Sequence, residues 1–176
     1  MHLSTTTLFF ALFTTTSLSA PVSTPNLAHS IKSRALTSVP YNTFSISSGV
    51  GGSALSEANT AFPITPSSST SASDLSIINA AAKVSEQAEV GTGGFNDAIA
   101  TAGGQGTTEG KALQVGKIKN KVLKLQTDVL RLEIQAAKGK GGLDAQIQQQ
   151  KTKLAANVKL DEANKGVTSK GINFAG

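Results

Sequence analysis

The longest regular pattern of apolar positions in this chain runs from Thr107 to Lys138. Apolar residues recur there at spacings of three and four, which is the period of one face of an α-helix. The pattern therefore predicts one long amphipathic helix, roughly 48 Å in length at about 1.5 Å per residue. The members of the apolar row are Val115, Ile118, Val122, Leu125, Val129, Leu132 and Ala136.

A wider apolar arc indicates that this helix lies at the centre of a bundle. A seam between only two helices needs a narrow stripe, whereas here further apolar side chains lie a quarter-turn or more from the main row. We therefore expect the helix to pack against more than one neighbour. The additional residues are Leu113, Leu123, Leu130 and Ile134.

Shorter segments predict the neighbouring helices, which cover residues 53–62, 71–90 and 144–165, and residues 95–102 form a short helix or a turn. Glycine-rich or Ser/Thr-rich connections separate them. The connection at 139–142 is short, which predicts that the long helix and the last helix are antiparallel neighbours. Side chains that favour N-capping precede or begin three of the helices, and they are Ser71, Asn96 and Thr107.

The fold class predicted from these patterns is all-α: a small helical bundle built on a long antiparallel helical hairpin, with a disordered Ser/Thr-rich N-terminal arm. The division into domains follows from the same reading. Residues 1–19 are predicted to be a signal peptide, residues 20–48 a disordered Ser/Thr/Pro-rich arm, and residues 49–176 the helical bundle domain. In the last helix we expect the inward side chains to be Leu143, Ile147, Leu154 and Val158.

The first twenty residues are typical of a secretory signal. An uninterrupted apolar run from Leu8 to Phe13 is followed by small residues, and we expect cleavage after Ser19, with Ala20 as the alternative. An apolar membrane anchor is the other interpretation, but the run falls short of the roughly 20 residues that cross a bilayer. The sequence therefore predicts a secreted, extracellular protein with no integral membrane association.

Three segments near the chain ends refine this picture. Within the arm, Lys32-Ser33-Arg34 is a weak candidate for propeptide processing, because the two basic residues are not adjacent. The alternation over 41–46 predicts an extended segment lying against the bundle. At the other end, the tail from 167 to 176 is expected to be irregular, with Ile172 and Phe174 folding back onto the helices.

The charge is unevenly distributed and concentrates on the long helix. Residues 21–109 carry a net charge of −3, whereas residues 110–176 carry +8. A basic surface attracts anionic partners, and the candidates here are an anionic cell-wall polysaccharide or a host surface. A solvated lysine face that keeps the protein in solution is the alternative. The candidate binding residues, named the basic stripe below, are Lys117, Lys121, Lys124, Arg131 and Lys138.

The residue inventory argues against an enzyme. The chain has no cysteine, and its two histidines, His2 and His29, lie outside the predicted bundle, so thiolate and Ser-His-Asp chemistry are excluded there. We expect no metal site and no cofactor. The carboxylate pairs Glu86/Glu89 and Asp161/Glu162 have the positions of solvated helix charges rather than of an acid–base pair.

With enzymatic chemistry disfavoured, the remaining candidate functions are binding functions. Nucleic-acid binding is not expected, because no aromatic residue alternates with the lysines of the long helix to stack on bases. The leading prediction is a secreted, non-enzymatic interaction protein, cell-wall-associated or surface-associated or effector-like. The alternative is an extracellular carrier of a small apolar ligand held between helices, where small side chains leave room. Those side chains are Ala81, Ala82, Ala136 and Ala155.

Three segments carry a family resemblance: Gly-Gly-Ser-Ala-Leu-Ser-Glu-Ala-Asn at 51–59, Gly-Phe-Asn-Asp-Ala-Ile at 94–99, and Gly-Lys-Ile-Lys-Asn-Lys-Val-Leu-Lys-Leu at 116–125. Together they resemble an uncharacterised small secreted protein family of filamentous ascomycete fungi. The resemblance covers residues 49–174 and is most specific in the lysine-rich segment. It implies export and a helical fold, and it supplies no functional residues.

Overall fold

The computed structural model describes residues 35–175, and these are mostly helical, which confirms the all-α class. Five helices have seven or more residues, and a one-turn helix and two short strands complete the described secondary structure. The helices are α1 (Tyr41–Phe44), α2 (Ala54–Ala61), α3 (Ala72–Val90), α4 (Phe95–Thr101), α5 (Thr108–Ala137) and α6 (Asp144–Ala163); the strands are β1 (Gly49–Val50) and β2 (Thr168–Ser169).

Two of the three predicted caps are present. The Ser71 hydroxyl oxygen accepts the backbone N–H of Asp74 at 2.9 Å, and the Thr107 hydroxyl accepts that of Gly110, also at 2.9 Å. These bonds satisfy donors that the first turn of a helix leaves unpaired. The expectation for Asn96 was wrong: α4 begins after Gly94, and Asn96 lies inside the helix.

Helix α5 is the central helix, as predicted. It packs against α2, α3, α4, α6 and β2, and no residue between 112 and 136 is exposed. The four apolar residues off the main row are each at most 4% exposed. The largest core cluster joins α5 to α2 and α3, and its members include Ala58, Phe62, Ile78, Val122, Leu123, Leu130 and Ile134.

Helix α6 covers one side of α5 and leaves most of its own surface in solvent. Ile147 and Asp161 are its only buried residues, and Leu154 and Val158 are half-buried against the core. The ammonium of Lys151 lies 2.7 Å from the Glu133 carboxylate, which ties α6 to the C-terminal half of α5. Packing of α6 is therefore less complete than that of α3, because Gln150 and Lys151 interrupt its apolar face.

The predicted arm boundary at residue 48 needs correction. Residues 35–48 cross the bundle as an ordered strap, in which Tyr41 is 3% exposed. The ring of Phe44 packs edge-on against Phe62, with 5.5 Å between ring centroids. The alternation over 41–46 predicted that this part lies against the bundle, but the expected extended conformation was wrong, because Tyr41–Phe44 form a helical turn. Residues 35–40 carry no regular apolar pattern and were therefore assigned to the arm. The predicted signal peptide, the first part of the arm and the segment 32–34 lie outside the described residues.

The segments that precede α2 and follow α6 lie together on one side of α5. Strands β1 and β2 pair antiparallel, with Gly49 opposite Ser169 and Val50 opposite Thr168. Beyond β2 the tail folds back as expected: Ile172 packs against the cluster around Phe95, and the ring of Phe174 lies edge-on to Tyr41. Strands of two residues have no alternation to detect, so the sequence did not predict this small sheet.

Candidate functional site

The basic stripe lies along α5 and is only partly open to solvent. Four of its side chains are between 20% and 37% exposed, and Lys121 is the most exposed of these four. Lys138 is the C-cap residue of α5 and is exposed. The intervals between these residues are four, three, seven and seven positions, which places the cations on one side of α5, in a strip bordered by other elements.

Each residue of the basic stripe has a partner within the protein. Glu89 of α3 lies 3.4 Å from the Lys121 ammonium and 3.9 Å from that of Lys117. Lys124 pairs with Glu86, one turn earlier on α3. Arg131 contacts Asp128 at 3.2 Å, and Lys138 donates to the backbone carbonyl of Ser68 at 3.1 Å. Five cations therefore face three carboxylates, so the stripe together with these partners carries a net charge of +2.

Burial also changes the chemistry of one stripe residue. The pKa of Lys124 is lowered from its usual value, chiefly because burial disfavours the ammonium form. Asp128 opposes this shift, and the neighbouring cation Lys153 adds to it. Lys153 belongs to α6, so the stripe borders α3 on one side and α6 on the other.

The carboxylates considered for catalysis have structural roles. Glu86 and Glu89 are the ion-pair partners of the stripe. Asp161 is 2% exposed, and its Oδ2 atom accepts the backbone N–H of Ala54 at 2.8 Å, which caps α2. Glu162 lies beside it in an open groove of about 740 Å³ between α2 and α6. Within residues 35–175, no cluster of three or more His, Cys, Asp or Glu side chains is arranged to hold a metal ion.

Lys119 has a structural role that the sequence did not predict. Lys119 is 1% exposed, and its ammonium donates to the backbone carbonyls of Ser48 and Val50, each at 3.0 Å. It also lies 2.9 Å from the Glu57 carboxylate. The ammonium therefore joins β1 and α2 to the central helix. Nothing in the sequence distinguished Lys119 from the lysines that flank it.

An apolar cavity of about 260 Å³ lies between the strap, α2 and α3. Two aromatic rings, Tyr41 and Phe44, form one wall, and Phe62 of α2 contributes another. Strap residues 38–40 and Ala61 of α2 also line it, and the rest of the lining comes from small and aliphatic side chains of α3 and from the C-terminal tail. These residues are Ile77, Ala80, Ala81, Val84 and Ala175.

The cavity contains one of the small residues proposed from the sequence. Ala81 lines it, whereas Ala82 is buried elsewhere on α3, Ala136 packs near Leu132, and Ala155 is exposed on α6. The strap residues that form much of the wall were assigned to the disordered arm. Sequence reasoning therefore found one side of this cavity and missed the other.

Comparison with known families adds one result. A family model described as a domain of unknown function (DUF8454) matches residues 36–173. The chain belongs to this family. The matched segment spans the strap, all the described helices and the small sheet, so the family corresponds to the fold described above. The comparisons with curated proteins and with solved structures give no match. Among the described residues, no helix is long and apolar enough to cross a membrane.

Proposed function

We propose that the protein is an exported, non-enzymatic binding protein, and that the site it offers is the apolar cavity. This is the carrier function, with a small apolar molecule as ligand. The observation that carries the proposal is the partly open cavity lined by the aromatic rings of Tyr41, Phe44 and Phe62 and by aliphatic side chains of α3. A mostly apolar concave site with a few aromatic side chains is the usual form of a small-molecule pocket.

The size of the cavity restricts the ligand. Its volume of about 260 Å³ lies just below the roughly 300–1,000 Å³ of typical ligand pockets. The aromatic walls carry no charge, and the Tyr41 hydroxyl is already bonded to Asn120. We therefore propose a compact, uncharged and mostly hydrocarbon ligand rather than a long acyl chain or a charged metabolite.

Native mass spectrometry and a narrowing variant test this proposal. Protein purified from culture fluid is expected to carry a small adduct, and the apo protein is expected to bind 1-octanol. Ala80 lines the cavity yet is exposed, so Ala80→Leu narrows the entrance without overpacking the core. The matched control is Ala156→Leu on the exposed side of α6. Binding of 1-octanol that is unaffected by Ala80→Leu would show that the cavity is not the site.

A second function, association with an anionic cell-wall polysaccharide or a host surface, is supported by the excess of cations in the basic stripe. The ion pairs with α3 reduce this attraction without removing it, and exposed pairs are further weakened by salt. The α5–α6 pair, which we infer to be the predicted antiparallel hairpin from the Glu133–Lys151 contact, holds the stripe on a rigid surface.

Charge reversal on the two most accessible stripe residues tests the second function. The double variant Lys121→Glu/Lys138→Glu is expected to lose retention on a polygalacturonate column at low salt. The double variant Lys159→Glu/Lys165→Glu, at two exposed positions in and just after α6, is the control of equal charge change. Equal loss in both variants would indicate a response to net charge alone, and retention insensitive to salt and to the stripe would eliminate the idea.

A further inference from the structure

We propose that the open groove between α2 and α6 is a ligand site for the ammonium group of a small alkylamine. The groove has a volume of about 740 Å³ and shares no lining residue with the apolar cavity. No residue of the basic stripe lines it either. The inference therefore goes beyond both proposed binding functions and does not depend on them.

The buried carboxylate of Asp161 points to a ligand in this groove. Asp161 lines the groove, although it is only 2% exposed. Its Oδ2 atom accepts the backbone N–H of Ala54 at 2.8 Å, but its Oδ1 atom accepts no hydrogen bond from any donor in the described part of the chain. An oxygen buried without a donor is costly, and a ligand that brings an N–H group removes this cost.

Access to the Oδ1 atom requires a small rearrangement, because this atom is closed to solvent. Glu162 follows Asp161 in the chain, lines the same groove and is exposed. Exposed side chains change rotamer within nanoseconds, so they are no barrier to a ligand. Rotation of the Glu162 side chain is the step by which the groove admits the ammonium group to Oδ1.

The charge of the groove determines which donor suits it. Two of its eleven lining residues, Asp161 and Glu162, are acidic, and none is basic. Both carboxylates lie in the last turn of α6, where the partial negative charge of the helix end disfavours anions. The N–H of Ala54 offsets part of the Asp161 charge, whereas Glu162 is exposed to solvent. A cation between the two carboxylates is attracted by both and by the helix end, which favours an ammonium over a neutral hydroxyl.

The remainder of the lining suits a short hydrocarbon chain. Leu55 of α2 and Val158 of α6 are half-buried there, and Pro63 lines the groove beyond the end of α2. An alkyl chain in contact with these side chains leaves water while its ammonium group stays at the carboxylates. Since the groove is open, we expect weak binding, with a Kd on the order of 1 mM for a six-carbon amine.

NMR spectroscopy of the isotope-labelled protein with n-hexylamine tests this site. At neutral pH the amine is charged, as a lysine side chain is. At low salt we expect saturable shifts of the backbone amides of Ala54 and Leu55 and of those in the last turn of α6. Glu162→Gln is expected to weaken binding about fivefold, the upper range for an exposed ion pair. Asp144→Asn removes the same charge from the exposed start of α6, and this control is expected to bind as the wild type does.

Two analogues of the amine separate its charge from its hydrogen bonds. Hexan-1-ol has the same chain without the charge, and we expect it to leave the groove amides unshifted. Hexyltrimethylammonium keeps the charge but has no N–H group. It is expected to bind at least about tenfold more weakly than n-hexylamine, because the Oδ1 atom of Asp161 stays without a donor.

The proposal is overturned by any of three results: no saturable shift at the groove, an affinity that Glu162→Gln leaves unchanged, or equal shifts with hexan-1-ol. Equal affinity for hexyltrimethylammonium would also contradict it, because Asp161 would then take no part. Ala80→Leu separates this site from the apolar cavity, since it narrows only the cavity and is expected to bind n-hexylamine with wild-type affinity. Loss of the groove shifts in this variant would assign the binding to the cavity instead.

Discussion

Gly116 lies directly beneath the backbone carbonyl of Lys170, and a Cβ atom at position 116 would overlap that oxygen. The backbone carbonyl of Ser47 also approaches the same point, 3.0 Å from the position of such a Cβ. One turn earlier on α5, the carbonyl of Ala112 accepts the N–H of Lys170 at 2.9 Å. The strap and the C-terminal tail therefore cross the central helix at Gly116.

Replacing Gly116 by alanine is expected to destabilise the protein. Alanine favours a helix over glycine by about 1 kcal/mol, but overpacking against fixed backbone costs roughly 1–3 kcal/mol. The overlap is with backbone atoms, so we take the upper end of that cost and expect a net loss of about 2 kcal/mol in the free energy of unfolding, measured by urea denaturation. Gly141→Ala is the control, because nothing lies within 4 Å of its Cβ position. A Gly116→Ala protein as stable as the wild type would contradict the crossing.

The Lys119 contacts predict a large loss when the ammonium is removed. Lys119→Met leaves two backbone carbonyls and the Glu57 carboxylate without their donor, and we expect a loss of about 3 kcal/mol, as for other broken buried pairs. Glu57→Gln is expected to cost less, about 1 kcal/mol, because that side chain is 34% exposed and the two carbonyls remain bonded to Lys119.

The comparison of these two variants in urea denaturation is the informative measurement. Lys159→Met, which removes an exposed ammonium, serves as the control and is expected to change stability by less than about 0.5 kcal/mol. If Glu57→Gln were as damaging as Lys119→Met, the ion pair rather than the carbonyl contacts would hold β1 and α2 on α5.

Tyr41 predicts a loss of stability at alkaline pH. Its hydroxyl donates to Asn120 Oδ1 at 2.8 Å, and burial raises the pKa of the phenol above its usual value of 10.0. Because the folded pKa is the higher one, the contribution of Tyr41 is fully present below the unfolded pKa and is lost as pH rises through the folded pKa. We therefore expect stability to fall above about pH 10.

This prediction has a direct optical readout, since Tyr41 is the only tyrosine of the chain. Absorbance of tyrosinate near 295 nm is expected to titrate above pH 10 in the folded protein and near pH 10 in urea, values set relative to the ordinary phenol pKa of about 10. Tyr41→Phe is expected to cost about 1–2 kcal/mol at neutral pH, because Asn120 loses its donor, and to flatten the alkaline decline. Coincident folded and unfolded titrations would contradict the burial.

The cap of α5 predicts a smaller, local effect. Thr107→Ala removes the oxygen that accepts the Gly110 N–H, and we expect a loss of about 1 kcal/mol in the free energy of unfolding. Thr108→Ala, one residue later and equally exposed, keeps the cap and is the matched control. Guanidinium denaturation of both variants measures the difference. No difference between them would show that the cap contributes nothing to stability.

Much of the helical framework was predictable, because its causes are local. The apolar row of α5 has the helical period throughout, and its cap at Thr107 lies within three residues of the donor that it satisfies. The expectation failed at Asn96, where Gly94 is the cap residue and the carboxylate of Asp97 takes the nearby N–H of Gly93 instead. Choosing between such neighbouring acceptors depends on backbone geometry that residue type alone does not supply.

The candidate sites were less predictable, because they are made by residues far apart in the chain. Lys119 and Glu57 are 62 positions apart, and Tyr41 and Asn120 are 79 apart. The basic stripe was visible as a spacing, but its partners on α3 were not, and its role as a binding surface stays a prediction. The cavity also needed the strap, which the predicted domain boundaries placed in the disordered arm.

By itself, the sequence determined where the helices of this protein lie and which of them is central, since periodicity, capping and glycine breaks act over a few residues. Only the tertiary structure decided that residues 35–48 join the core, that Lys119 is buried while the cations of the stripe remain at the surface, and that a cavity opens between the strap and α3. Those outcomes depend on contacts between residues that are far apart in the chain. The local pattern of apolar and polar positions does not show which of these residues come into contact.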